Sequence, residues 1–131
     1  TFADGTAYTG GFKNDLRHGQ GRVNYSNGDT YIGGFKNDVA NGQGTYTNVN
    51  GDIYTGGHRY GLQHGQGTYT FANGDIYTGG FKNGLSHGQG TMTLKEGGKY
   101  IGAYENDEWT NGVVFTANGN KFSVIDGEIK K

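Results

Sequence analysis

Apolar residues fall on every second position through short segments of this chain, and nowhere do they recur at helical spacing. In Tyr31-Ile32-Gly33-Gly34-Phe35 the two rings lie an even number of residues apart, so an extended backbone carries them on one face. A second kind of segment follows each His-Gly-Gln-Gly or Asn-Gly-Gln-Gly: Arg22-Val23-Asn24-Tyr25, Thr45-Tyr46-Thr47-Asn48, Thr68-Tyr69-Thr70-Phe71 and Thr91-Met92-Thr93-Leu94. Their Thr, Tyr and Phe suit a pleated surface. Asn27-Gly28, Asn50-Gly51 and Asn73-Gly74 separate these runs and predict tight hairpin turns with positive φ at both residues. The other connection, as in Lys82-Asn83-Gly84-Leu85-Ser86-His87-Gly88, is predicted to be longer. Asp15 and Asp38 stand there where Gly61 and Gly84 stand, which fits a left-handed backbone that Asp tolerates.

The segments repeat. Tyr8, Tyr31, Tyr54, Tyr77 and Tyr100 are each 23 residues apart. A fixed period of that length marks a solenoid or an array. Counted from Gly5, Gly28, Gly51, Gly74 and Gly97, the repeats run about 5–27, 28–50, 51–73, 74–96 and 97–118. Residues 1–4 match the end of a repeat, since Thr1-Phe2-Ala3-Asp4-Gly5 parallels Thr70-Phe71-Ala72-Asn73-Gly74, so the chain is expected to begin mid-array. Residues 119–131 read as a degenerate C-terminal cap, in which Phe122, Val124 and Ile129 form a final strand and Lys130-Lys131 a charged tail. Glu108-Trp109-Thr110-Asn111-Gly112 reads as carrying an inserted residue. The predicted fold is all-β: an elongated, single-layer antiparallel sheet solenoid of tandem 23-residue hairpins. It should advance about 10 Å per repeat. Rings that lie over neighbouring glycines should join one repeat to the next. A single repeat cannot offset its own ordering entropy and needs its neighbours.

The pattern Tyr-x-Gly-x-Phe-Lys-Asn-Gly-x-x-His-Gly-x-Gly at this spacing resembles the MORN repeat (membrane occupation and recognition nexus), well over residues 5–107 and weakly over 108–131. The resemblance implies rows of β-hairpins in an elongated, grooved sheet. It also implies a non-catalytic role in scaffolding, partner binding or attachment to membranes. Matched by position, the ring columns are Tyr8, Tyr31, Tyr54, Tyr77 and Tyr100, then Phe12, Phe35, Phe81 and Tyr104. His58 departs from the second column, and Asn41 departs from the column of His18, His64 and His87. Gly11, Gly34, Gly57 and Gly80 occupy a position that is often acidic in the family.

Composition narrows the function. Of 131 residues 28 are Gly, the apolar share is 31% and aromatics are 14%, so large flat rings must supply the core. A net charge of −1 gives no general attraction to nucleic acid. The absence of cysteine removes disulfides, zinc-thiolate sites and thiol catalysis together. No signal peptide or transmembrane run is visible, and a cytoplasmic or membrane-peripheral location is expected.

The histidine column cannot share one metal at roughly 10 Å per repeat, so no metal and no cofactor is expected. Its shared property is a hydrogen-bonding group, placed at a tight turn. Lys13, Lys36, Arg59 and Lys82 form a basic column that could meet anionic headgroups, with Asp29, Asp52 and Asp75 expected to neutralise it. Gly-Gln-Gly lacks the ending of a phosphate loop, and no serine sits in a nucleophile elbow. The expected function is therefore binding. An aromatic face of Tyr8, Phe12, Tyr31, Phe35, Tyr54, His58, Tyr77, Phe81, Tyr100, Tyr104 and Trp109 would line a groove for a protein segment or a second copy of the chain. Peripheral attachment to phospholipid is one alternative. A carbohydrate- or choline-binding wall repeat is another, against which the single Trp argues. No enzyme activity, small-molecule substrate or nucleic acid is expected.

Overall fold

A computed structural model describes residues 2–130; Thr1 of the N-terminal match and Lys131 of the tail lie outside the described residues. The strands are β1 (Ala7–Lys13), β2 (Leu16–Asn24), β3 (Thr30–Lys36), β4 (Val39–Thr47), β5 (Ile53–Arg59) and β6 (Leu62–Thr70). The second half adds β7 (Ile76–Lys82), β8 (Leu85–Thr93), β9 (Lys99–Glu105), β10 (Glu108–Phe115), β11 (Lys121–Ile125) and β12 (Glu128–Lys130). All twelve lie in one sheet in chain order, each antiparallel to the next. The described residues contain no helix. At a strand spacing of about 4.8 Å the ribbon is roughly 55 Å long.

The two kinds of connection are the reverse of those the dipeptides predict. The short one joins β1 to β2 through Asn14 (φ 52) and Asp15 (φ 65) alone, and both residues are left-handed. Asn37-Asp38, Tyr60-Gly61, Asn83-Gly84, Asn106-Asp107 and Asp126-Gly127 repeat it. This is the mirror-image turn that matches strand twist. At the Asn-Gly sites the loop is longer, and only the glycine is left-handed, as at Gly28 (φ 99). Asn27 serves differently there: its Oδ1 accepts the Asp29 amide at 2.9 Å, an Asx turn. Asn50 and Asn73 do the same for Asp52 and Asp75.

The His-Gly-Gln-Gly segment, expected in the longer connection, lies inside the even-numbered strands. There it forms a bulge with Gly19 at φ 80. His18, His64 and His87 are therefore strand residues rather than turn residues. Their Nδ1 atoms are buried without a hydrogen-bond partner.

The last repeat differs from its reading in two ways. Gly97 to Gly119 is 22 residues, so this unit is one residue shorter than the others, not longer. The loss falls in the bulge of β10, where Gly102 pairs Gly112 and Tyr104 pairs Trp109. Ala103 is accommodated in that shortened unit, whereas at Gly34, Gly57 and Gly80 a Cβ would press into the carbonyl of Asn41, His64 or His87. Beyond it lie two strands rather than one, with Phe122 and Val124 on β11 and Ile129 on β12.

One face of the sheet carries the rings, and the core runs along it. Tyr31, Tyr54, Tyr77 and Tyr100 are 1–2% exposed. Each tyrosine lies flat along its strand, and its hydroxyl donates to the carbonyl three residues on: Tyr31 to Gly34 at 3.0 Å, Tyr54 to Gly57 at 2.8 Å and Tyr77 to Gly80 at 2.9 Å. The ring covers a glycine of the next strand, and a Cβ at Gly44, Gly67 or Gly90 would fall inside it. That close approach explains the second glycine of Gly-Gln-Gly. The opposite face carries Thr45, Thr55, Thr68, Thr78 and Thr91 in one register row.

Candidate functional site

The buried rings form one continuous ladder. Tyr8 meets Phe35 at 5.3 Å, Tyr31 meets His58 at 4.9 Å, Tyr54 meets Phe81 at 4.9 Å and Tyr77 meets Tyr104 at 4.9 Å. Within a repeat the contacts Tyr31–Phe35, Tyr54–His58 and Tyr77–Phe81 are also edge-to-face. Edge-to-face geometry sets the positive ring rim on the negative ring face, which adds to the area buried. The ladder ends on Trp109, stacked on Tyr100 at 4.4 Å and 6°. At the other end Phe12 is 62% exposed and Tyr8 half-buried. The eleven aromatic-face residues named from sequence thus lie together, but eight of them, Tyr31 to Tyr104, are a packed core rather than an open wall, with Tyr8 and Trp109 half-buried and Phe12 exposed at the ends.

His58 occupies a rung that carries Phe in the flanking repeats. It is 8% exposed, and its Nδ1 finds no partner. Burial pushes its pKa below the usual imidazole value, with opposing contributions from the backbone at Gly42 and Gly56. The folded state therefore favours the neutral ring. Its contribution to stability is present above the unfolded pKa of about 6.5 and is lost as pH falls through the lower folded value. His58→Phe is expected to raise stability by about 1 kcal/mol at neutral pH. It should also flatten the fall in Tm between about pH 7 and 5, measured by thermal unfolding across that range.

A second row of side chains, of which sequence reasoning gave only Tyr46 a place, in the gap between Tyr31 and Tyr54, stands above the first. Tyr25, Tyr46, Tyr69, Phe71 and Met92 are half-buried and rest on the ladder, as in Tyr46 against Tyr31 and Tyr69 against Tyr54. Tyr46 and Tyr69 have no glycine to lie over, so they stand up. Their hydroxyls donate to Asp29 at 2.7 Å and Asp52 at 2.8 Å. Those hydrogen bonds, behind burial, raise the pKa of both phenols, that of Tyr69 to about 12.

The same carboxylates accept the amides of Val49 and Ala72 in the next Asn-Gly loop along the ribbon. Asp29 and Asp52 thereby pin each loop to the next. They do not neutralise the basic column, as expected from sequence, because Lys36 and Arg59 sit at the far ends of β3 and β5. The described residues show two ion pairs, Arg17–Asp38 and Lys130–Glu128, and neither involves that column.

Between the standing rings run two adjoining cavities. The first, about 320 Å³, has Tyr31, Tyr54 and His58 as floor and Tyr25, Tyr46, Tyr69 and Leu62 around it. The second, about 520 Å³, lies over Tyr77, Phe81 and Tyr104, with Tyr69, Phe71, Met92 and Trp109 around it. The groove is thus aromatic, continuous along the ribbon and free of Lys and Arg.

The repeating ladder at this spacing has a counterpart among known families. The MORN-repeat pattern matches residues 8–30, 31–53, 54–76 and 77–99. The chain belongs to the MORN-repeat family. MORN repeats are non-catalytic binding and scaffold modules, often associated with membranes. The four matched units begin at the ladder tyrosines Tyr8, Tyr31, Tyr54 and Tyr77. No curated protein matches the chain. The MORN ribbon has no helix among its described residues that is long and apolar enough to cross a membrane. It also brings together no group of three or more described His, Cys, Asp or Glu side chains that could hold a metal ion.

One long edge of the ribbon has its own character. Lys13 pairs Leu16, Lys36 pairs Val39, Arg59 pairs Leu62 and Lys82 pairs Leu85 beside the two-residue turns, and all eight side chains are exposed. Tyr60 projects from the middle turn, 75% exposed, with the Arg59 guanidinium 5.1 Å from its ring centre. Its φ of 53 is rare for so bulky a residue.

Proposed function

We propose that this array is a binding module whose groove, floored by the buried ladder and walled by Tyr46, Tyr69, Phe71, Met92 and Trp109, receives a segment of a protein partner. The observation that carries this reading is the adjoining pair of cavities over a rigid aromatic floor. Half-buried tyrosines offer area at little cost in rotamer entropy, as at interface hot spots. A helix presenting apolar residues at i, i+3, i+4 and i+7 suits such a trough.

The test is titration with an amphipathic helical peptide, followed by NMR. Tyr46, Tyr69, Met92 and Trp109 signals should shift while those of Thr55 and Thr78, on the other face, stay still. Shifts confined to the threonine face would overturn the reading.

The basic and aliphatic edge favours a second reading, attachment to anionic bilayers. Paired Lys and Leu beside an exposed Tyr match a surface that dips into headgroups. Flotation with phosphatidylserine vesicles should then retain the protein at low salt and lose it when Lys36, Arg59 and Lys82 become Glu. No flotation of the unaltered chain removes this reading and leaves the groove untouched.

A further inference from the structure

Three residues set the larger cavity apart from its neighbour; two of them, Tyr104 and Trp109, stand where the other repeats carry something else, and the third, Asp107, is a turn acid shared with Asp15 and Asp38. Tyr104 replaces the Phe of Phe12, Phe35 and Phe81. It is 4% exposed, and its hydroxyl is buried without a hydrogen-bond partner at the floor of this cavity. The Trp109 indole lies near it without completing a hydrogen bond. Trp109 itself replaces Arg17, Ala40, Gln63 and Ser86 of the earlier repeats. Asp107 is the one charged residue lining the cavity. Its Oδ1 accepts the Ser86 amide at 2.6 Å and the Ser86 hydroxyl at 2.9 Å. Among the described residues its Oδ2 has no partner.

An aromatic wall, an unpartnered hydroxyl and a half-used carboxylate together describe a cation that also donates hydrogen bonds. A trimethylated ammonium, which has no N–H, would satisfy the rings and donate to neither oxygen. A lysine ammonium is compact, strongly hydrated and does not stack. A guanidinium is planar and weakly hydrated, stacks on aromatic rings and carries five donors in a fixed fork.

Resting on the groove reading above, we propose that this cavity takes an arginine side chain from the bound partner segment. Its guanidinium lies against the Trp109, Tyr69 and Phe71 rings and donates to Asp107 Oδ2 and to the Tyr104 hydroxyl oxygen. Repeats four and five thereby set the register of a basic residue, while the smaller cavity over repeats two and three accepts an apolar one.

The test uses three amphipathic helical peptides that differ at one residue: arginine, lysine or citrulline, the neutral isostere of arginine. Trp109 is the sole tryptophan, so its fluorescence and indole N–H signal report on the C-terminal end of the groove. The arginine peptide should bind about tenfold more tightly than either of the others, a difference of about 1.4 kcal/mol. Tyr104→Phe and Asp107→Asn should each weaken the arginine peptide more than the citrulline peptide and so narrow the gap between the two. Both variants should fold, because Phe fills the same slot in three other repeats and Asn83 tolerates a left-handed turn position. Tyr104→Phe should also be more stable than the parent, since it removes a buried hydroxyl without a partner. If all three peptides bind equally, or the two variants change nothing, the arginine site is refuted and the groove stands. If no peptide disturbs Trp109, Tyr46 or Tyr69, both proposals fall together.

Discussion

Tyr54→Ala is expected to break the ribbon in two. Tyr54 is 1% exposed and touches His58 within its repeat, Phe81 of the next and Tyr69 above. Its removal empties a ring-sized space and strips the Gly57 carbonyl of its phenol donor. Large-to-small changes of this kind cost about 3–5 kcal/mol in a core. In a one-dimensional array the location of the loss matters as much as its size, because each unit is held by its neighbours. Urea unfolding followed by far-ultraviolet circular dichroism should become broad or biphasic. Trp109 fluorescence, which senses only the C-terminal end, should keep a later midpoint. Tyr8→Ala should cost less and leave one transition, since Tyr8 sits on the edge strand and is only half-buried. Coincident midpoints for both probes in Tyr54→Ala would deny that the ladder carries stability from repeat to repeat.

Gly67→Ala should be nearly as damaging, although it adds one methyl. The new Cβ would fall inside the Tyr54 ring, so the ring must leave its bed and with it the contacts to His58 and Phe81. Overpacking a close-packed site costs about 1–3 kcal/mol, and displacing the ring puts this change at or above the upper end. Gly65→Ala, two residues earlier, is the control. A Cβ there meets nothing within 4 Å, and its φ of 82 leaves only left-handed strain. That strain is about 1–2 kcal/mol. The cycle of Tyr54→Ala with Gly67→Ala separates cause from coincidence. With the ring gone the methyl has room, so Gly67→Ala should be close to neutral in the Tyr54→Ala background. Additive losses would mean that the glycine is needed for its backbone alone.

Much of this architecture is written in the chain at the level of period and alternation. The 23-residue step, the two strands per unit, the single sheet and the ring columns all follow from spacing. The turns do not, because a dipeptide is ambiguous about what its Asn does. Asn27 could have supplied positive φ and instead supplies a side-chain acceptor, while the tight turn falls to Asn14-Asp15 and its equivalents.

The depth of each ring was also hidden. Tyr31 and Tyr46 look alike as strand tyrosines, yet one is core and the other a groove wall. What distinguishes them is glycine: Tyr31 is followed by Gly33 and lies over Gly44, whereas Tyr46 has Thr45 and Thr47 beside it. A ring needs bare backbone on its own strand and on the next before it can lie flat. The cavity over repeats four and five was legible only as two departures, Tyr104 and Trp109, beside the recurrent turn acid Asp107, which the hairpin geometry gathers from two strands and one turn.

Deleting one whole unit tests the central claim, that equivalent repeats are joined ring to ring, more directly than any substitution. Removal of residues 54–76 joins Ile53 to Tyr77 and brings Phe81 into the place of His58 against Tyr31. Circular dichroism and urea unfolding should show a shorter ribbon that still folds cooperatively, with a lower midpoint. Removal of residues 54–75, one residue fewer, shifts every later side chain to the opposite face and should not fold. If the whole-unit deletion is unfolded, or the two deletions behave alike, the rings do not knit interchangeable units into one sheet.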